Sequence, residues 1–507
     1  MTRSHALLRT ALLASGGLLA ADVFATDWPQ WGFEPAHSAN NTAETAVSAA
    51  NVAQLEQKYA VTLTGRVNAA PVFAQGISTA GGAKDLLFVT AQTGRISALD
   101  AADGSVVWSM TTTGGHTPIE SSPAIDPDRQ YVYSYGADGK VHKYAIGSGT
   151  EVTSGGWPQT ITLKPGVEKG ASALATAVSG GVARLYAVTN GYVGDGGDYQ
   201  GHLVTIDLAT GTSRVFNSMC STTTTLIPSN GCNSPQSGIW GRPGAVYDAG
   251  TDRVYITTAN GEFNANTGGH NWGDSVLALH PDGTGAGAGL PLDSHTPTNY
   301  DQLDGSDIDL GSASLSILPA PAGSTVAHIG VQTGKDSMLH LIDLDDMSGT
   351  GAPGGVGGEI EVIDVPISEF WMKTQSIVWV DTHGDGAAWV YVGNGNGISG
   401  LKLTLTASNV PHLQPTWQQN SDSTSAIVAN DVLYHAGSCA SGTCMLARNP
   451  KTGAVLWTSP AIGSLKWGSP ILVDGALYMI NYASSAKLYK FALPAPVDII
   501  FANGFDG

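Results

Sequence analysis

Along this chain, apolar and polar positions alternate over short stretches, and clusters of Gly, Asp, Asn and Thr break the alternation at intervals. A period of two marks a half-buried β-strand, and such punctuation marks tight turns. The stretches also recur as a unit. A short strand follows a Ser/Ala-x-Pro-like start, and an aromatic and β-branched strand comes next. After a Gly turn, a third strand ends in Leu/Ile-Asp, followed by a Thr-Gly or Asp-Gly turn and often a Trp. The first copy runs from Ala70-Pro71 through Leu87-Phe88-Val89, Gly94 and Ala98-Leu99-Asp100 to Asp103-Gly104 and Trp108. Later copies centre on Tyr131-Val132-Tyr133, Leu185-Tyr186-Ala187-Val188, Val254-Tyr255-Ile256, residues 328–331, Trp389-Val390-Tyr391-Val392, Leu433-Tyr434 and Leu477-Tyr478-Met479.

These units predict an all-β chain: an eight-bladed β-propeller of four-stranded antiparallel blades, with seven blades as the alternative count. Radial closure hides the strand edges that an open stack would leave unpaired. The eighth copy lacks its last strand before Pro494, so the stretch around residues 55–61 is expected to supply it and tie the ring shut. One helix is expected, over residues 43–57, where apolar positions fall at helical spacing. The division that follows is a signal peptide over 1–25, an opening segment with that helix over 26–54, the propeller over 55–493 and a tail over 494–507. The signal peptide rests on Arg3 and Arg9, the mostly apolar residues 10–23, and the cleavage-like Val23-Phe24-Ala25. Beyond Pro494 and Pro496 the tail reads as a tether or export tag.

Composition narrows the function classes. With 23 Lys+Arg against 42 Asp+Glu the formal charge is −19, and no basic cluster interrupts the surplus, so nucleic acid is excluded as a partner class. Charged residues are only 13% of the 507, and the 65 glycines follow no three-residue period, which excludes coiled coil and collagen. No transmembrane segment is expected, and the absence of Cys near the cleavage site argues against a lipoprotein. A periplasmic or secreted location is therefore expected. Cys220 and Cys232 lie close in sequence, as do Cys439 and Cys444, and two local disulfides are the preferred pairing among the three possible. No Cys-x-x-Cys-His is present, so no covalently attached haem is expected.

Copies ending in Leu99-Asp100-x-x-x-Gly104-x-x-x-Trp108 or Pro450-Lys451-Thr452-Gly453-x-x-x-Trp457 resemble the repeats of pyrroloquinoline-quinone (PQQ) propeller proteins. The likeness extends to Asp27-Trp28-Pro29-Gln30-Trp31-Gly32 with Asn51-Val52 and Leu55. It includes Ile239-Trp240 ahead of the Val254–Gly261 stretch, and Gly334-Lys335-Asp336 with residues 339–343. It implies one of two functional kinds: quinoprotein alcohol or polyvinyl-alcohol dehydrogenases, here without the haem domain, or non-catalytic scaffolds related to the outer-membrane assembly lipoprotein. For the enzymes, the resemblance implies Trp240 as the stacking floor for PQQ. It implies Ca²⁺ held by Asn260 together with Asp195 or Asp198. It further implies Asp307 or Asp309 as catalytic base and Lys335 polarising a quinone carbonyl beside the Ca²⁺. The sequence departs from the pattern at Glu120, where an Arg toward a cofactor carboxylate is expected, and at Ser306, where a Trp is expected. The adjacent-cysteine disulfide of many such enzymes is also absent.

The expected activity is oxidation of an alcohol or sugar-type hydroxyl, with electrons passed to a separate soluble acceptor. The rival expectation is an exported propeller that presents its loops to another envelope protein or to a surface polymer. Gly-rich insertions at 261–273 and 349–358 suit a lid over the funnel or a contact surface. Gly273-Asp274-Ser275 has a superficial hydrolase look, but no His-Asp companions accompany it, and it is set aside.

Overall fold

The computed structural model describes residues 27–192, 195–367 and 372–495. The expected signal peptide and nearly all of the expected tail lie outside these residues. Among the described residues, eight blades of four antiparallel strands follow one another along the chain, and Asn40–Asn41 adds a parallel fifth strand to the seventh. Blade 1 is made of Val72–Thr79, Gly82–Thr90, Arg95–Asp100 and Val106–Thr111, each strand antiparallel to the next. The later blades begin at Ala124–Ile125, Ala175–Ser179, Val246–Asp248, Ser316–Leu318, Ile377–Val380, Ile427–Ala429 and Ile471–Val473. First strands of blades 1, 2 and 3 pack in succession, as do those of blades 5, 6 and 7, so the first strand of each blade faces the axis. Among the described residues no helix is long and apolar enough to cross a membrane.

Ring closure occurs as the incomplete eighth copy requires. Glu56–Thr62 pairs antiparallel with Lys487–Ala492, with Thr62 opposite Lys487 and Glu56 opposite Ala492. The helix expected over residues 43–57 does not form. That stretch is a series of turns with one 3₁₀ turn, Val52–Gln54, before the closing strand begins. The reason is local competition for backbone donors. Asn41 Oδ1 accepts Ala43 N (3.0 Å), Glu44 Oε1 accepts Ala46 N and Val47 N (2.7 and 3.1 Å), and Asn51 Oδ1 accepts Ser48 N (2.7 Å). Short polar side chains bonded this way offer the backbone an alternative to the helical ladder. The apolar spacing that suggested a helix instead places Val47, Val52 and Leu55 in the core of the closing blades.

The opening segment crosses the axis and touches nearly every blade. Trp28 exchanges backbone hydrogen bonds with Phe73 of blade 1 (2.9 and 2.8 Å), Pro29 O accepts Ile125 N of blade 2 (2.8 Å), and Gln30 Oε1 accepts Thr176 N of blade 3 (2.7 Å). Pro35 O accepts Tyr247 N of blade 4 (3.0 Å), Ser38 O accepts Val378 N of blade 6 (3.2 Å), and Ala39 O accepts Val428 N of blade 7 (2.9 Å). Asn41 Nδ2 then donates to Leu472 O of blade 8 (2.8 Å). Every partner is the second residue of its blade's first strand. Trp28, Trp31 and Ala39 are fully buried by this arrangement.

Candidate functional site

Because the first strands ring the axis, the segments that lead into them converge on one end of it. Glu120, Lys169, Trp240, Arg242, Ser312, Lys373, Lys466 and Trp467 all lie in such lead-in segments. With Asp195, Asp309 and Lys335 they line a cavity of about 300 Å³. A second lobe of about 340 Å³ shares Lys373, Lys466 and Trp467, and is otherwise lined by polar groups such as Thr374, Asn394, Ser423 and Thr424.

One wall belongs to blade 5 and its neighbours. Lys335 sits in the turn between Ile329–Thr333 and Met338–Asp343. A Cβ on Gly334 would lie 2.9 Å from Leu310 Cα and 3.0 Å from Asp309 O, so glycine there lets the Asp309 segment approach and bond Lys335 N (3.0 Å). The Lys335 ammonium then meets Asp309 Oδ2 (2.5 Å) and Asp307 Oδ1 (2.8 Å). Burial pulls the Lys335 pKa down, but the two carboxylates outweigh it and raise it above its ordinary value, so this side chain stays charged. For Asp309 burial wins over Lys335, and its carboxyl holds a proton more strongly than usual. Asp307 is the more exposed of the two carboxylates.

Asn260 joins the same wall through its backbone N, which donates to Asp309 Oδ1 (3.2 Å), while its own Oδ1 is buried without a hydrogen-bond partner. Asp195 lines the cavity, and its Oδ1 accepts from Tyr199 OH (2.8 Å). Tyr199 in turn meets Trp240 edge to face, at 6.2 Å between centroids and 77°. Asp198 is not brought to the cavity. Its carboxylate is held by Lys164 Nζ (3.0 Å) and Asn230 N (2.6 Å).

The opposite wall went unread in the sequence. Glu120, which stands where an Arg toward a cofactor carboxylate is expected, is buried among three cations. Lys466 Nζ lies at 3.4 Å, with Lys169 Nζ and Arg242 Nη2 at 3.9 Å, and Gln92 Nε2 donates to it (2.8 Å). Burial alone would raise the Glu120 pKa, but Arg242, Lys169 and Lys466 outweigh it and keep the carboxyl ionised. Lys169 is pushed down to about 8 by burial, with Glu120 opposing and Arg242 and Lys466 adding to the shift. Arg242 and Lys466 also lie over the Trp467 ring, at 4.5 and 3.9 Å from its centroid, where the ring face favours cations. Repeat register held the missed signal. Glu120 stands three residues before Pro123, Trp467 three before Pro470, and Arg242 directly before Pro243.

Other sequence features have plainer roles. Cys220–Cys232 and Cys439–Cys444 form the two expected disulfides, the second crosslinking the hairpin of Val432–Cys439 and Gly442–Arg448. Ser275 Oγ is buried and donates to Gly273 O (2.8 Å), which leaves no exposed nucleophile. Neither Gly-rich insertion supplies a residue to the cavity lining.

A family model described as outer membrane protein assembly factor BamB matches residues 37–308, just over half of the chain. No curated protein matches. Among solved structures, the chain is similar to the quinohemoprotein alcohol dehydrogenase ADHIIG of Pseudomonas putida HK5, at 14% identity and TM-score 0.64, over 93% of this chain and 82% of that one. The quinohemoprotein alcohol dehydrogenase of Comamonas testosteroni aligns at 16% identity and TM-score 0.64, over 92% and 80%. A europium-containing methanol dehydrogenase aligns at 15% identity and TM-score 0.65, over 92% and 98%. These likenesses establish the fold.

Proposed function

The chain belongs to the family described by the outer membrane protein assembly factor BamB, and from the charge pattern of its cavity we propose that it is a quinoprotein-type dehydrogenase, binding pyrroloquinoline quinone and Ca²⁺ and oxidising an alcohol or sugar-type hydroxyl. The observation that carries this reading is a cavity lined by Trp240, by three cations around the Glu120 carboxylate, and by Asp309 paired with Lys335.

The residues fit both groups. A planar polycarboxylate suits an aromatic face with Lys169, Arg242 and Lys466 near it, because the cations exceed the charge of Glu120. A hard divalent cation takes oxygen ligands, and the partnerless Asn260 Oδ1 and the carboxylate of Asp195 are such donors. When bound, the quinone supplies a two-electron acceptor and the cation polarises it. Around them, Trp240 provides the flat contact and Lys335 fixes positive charge at the centre of the site. Asp309 accepts the hydroxyl proton, for which its burial raises its affinity. The adjoining polar lobe offers hydrogen-bond partners to the rest of a hydroxyl-bearing substrate. Electrons leave to a separate soluble acceptor, and the two disulfides are in keeping with a periplasmic or secreted location.

Calorimetric titration of the purified protein with PQQ, with and without Ca²⁺, tests the reading beside Trp240→Ala. Calcium-dependent binding lost in the variant is the expected result. Absence of saturable binding overturns it in favour of a non-catalytic scaffold, the reading supported by the description of the matching family model.

A further inference from the structure

A second cluster lies away from the cavity lining, between blades 4 and 5. His295 is on the outermost strand of blade 4 (Asp293–His295), His340 is on Met338–Asp343 of blade 5, and Glu359 follows the Gly-rich insertion 349–358. One ligand atom from each falls within 4.8 Å of the others. His295 Nε2 is 3.7 Å from Glu359 Oε1, and His340 Nδ1 is 3.4 Å from it. Three donors bound tetrahedrally at zinc distances of about 2.0–2.2 Å stand roughly 3.4 Å apart, close to these separations. His295 is completely buried, yet its Nε2 has no hydrogen-bond partner.

The remote ring nitrogens are already committed. His295 Nδ1 donates to Gly357 O (3.2 Å), and His340 Nε2 donates to Asp336 Oδ2 (2.7 Å). These bonds place the proton on the far nitrogen of each ring and direct a lone pair into the cluster, as the supporting oxygens of zinc-bound histidines do. Glu359 is 13% exposed against 0% and 4% for the histidines, so solvent reaches the cluster from its side.

We propose that His295, His340 and Glu359 bind one divalent metal of the zinc class, with a water in the fourth position, and that the metal pins the 349–358 insertion to both blades. The insertion needs such a fastening. Gly349, Gly351, Gly354, Gly357 and Gly358 all have positive φ, and ordering a glycine-rich loop carries a high entropic cost. Besides the His295 Nδ1 bond to Gly357 O, its ties to blade 4 include Gly354 N to Ser294 Oγ and Gly357 N to Thr296 O, both 2.8 Å. The alternative occupant is a proton on His340 Nδ1, shared with Glu359.

The test uses the full chain, stripped with a chelator and titrated with Zn²⁺ alone, with Co²⁺ absorption as a second readout. One equivalent of zinc, a four-coordinate Co²⁺ spectrum and a zinc-dependent rise in melting temperature are expected. Asp336→Asn weakens binding about 10–100-fold by loosening His340, and His295→Gln/His340→Gln abolishes it. Failure of the wild-type chain to take up stoichiometric zinc, a six-coordinate Co²⁺ spectrum, or unchanged uptake in the folded double variant overturns the proposal. The wild-type cobalt spectrum decides the matter even if the variants do not fold.

Discussion

The two walls of the central cavity solve opposite electrostatic problems. On the blade 5 side, Asp309 and Asp307 grip Lys335, and with Asp195 these three carboxylates meet two cations, Lys335 and Lys373. Across the cavity, Lys169, Arg242 and Lys466 surround the single carboxylate of Glu120. Both arrangements are partly buried, where an unpaired charge is costly, and each keeps a counter-charge at its centre. What differs is the sign left over. One wall is suited to a metal cation and a departing proton, the other to the carboxylates of a ligand. A ligand with a metal-chelating end and an anionic end would find both in one cavity.

The sharpest way to break this division is Asp309→Asn. Loss of the proton acceptor is expected to cut turnover by about 10²–10⁴-fold with an artificial electron acceptor, while PQQ binding by calorimetry changes little. Weakened PQQ binding with turnover preserved at saturating PQQ would reverse the assigned roles of the walls. Next in size is Glu120→Gln, which leaves three cations without their carboxylate. Breaking a buried pair costs about 3–5 kcal/mol, so the melting temperature should fall, and citrate or PQQ should restore it by taking the place of Glu120. If citrate gives no more rescue than it gives wild type, the basic wall is not an anion site.

A smaller effect follows from Lys169, whose pKa of about 8 lies below its ordinary 10.5. As pH rises through about 8 the folded protein loses this charge, so affinity for PQQ should fall several-fold across that point. Between about 8 and 10.5 the unfolded chain holds the proton that the folded chain has released. The Lys169 contribution to stability therefore rises with pH over the same window. In Lys169→Arg the binding inflection should vanish. The smallest change expected is for Trp467→Leu, which removes one ring face beneath Arg242 and Lys466. Such contacts are worth about 0.5–2 kcal/mol, giving a few-fold loss of affinity, against complete loss for Trp240→Ala.

The same contrast explains what could be read in advance. The eight blades and the closing strand were legible because each is local: a period of two, a turn, and an incomplete last copy. Lys335 was legible because Gly334 and Asp336 flank it in a short motif. The basic wall was not, because Lys169, Arg242 and Lys466 come from three blades and meet only when the ring closes. Glu120 could be seen only as a missing Arg, since its partners lie 49, 122 and 346 positions away. His295, His340 and Glu359 escaped for a similar reason, with no short spacing to announce them. The false helix over 43–57 came from reading apolar spacing without the side-chain bonds of Asn41, Glu44 and Asn51.

The opening segment also sets an order of events. Residues made first by the ribosome find their partners in strands made last: Asn41 waits for Leu472, Leu55 O for Trp457 Nε1 (3.0 Å), and Glu56–Thr62 for Lys487–Ala492. Until the final blade emerges, Trp28 and Trp31 have no finished interior to occupy. Folding of the ring is thus a late, whole-chain event of high contact order. A chain stopped short of blade 8 would lack the partners of its own beginning.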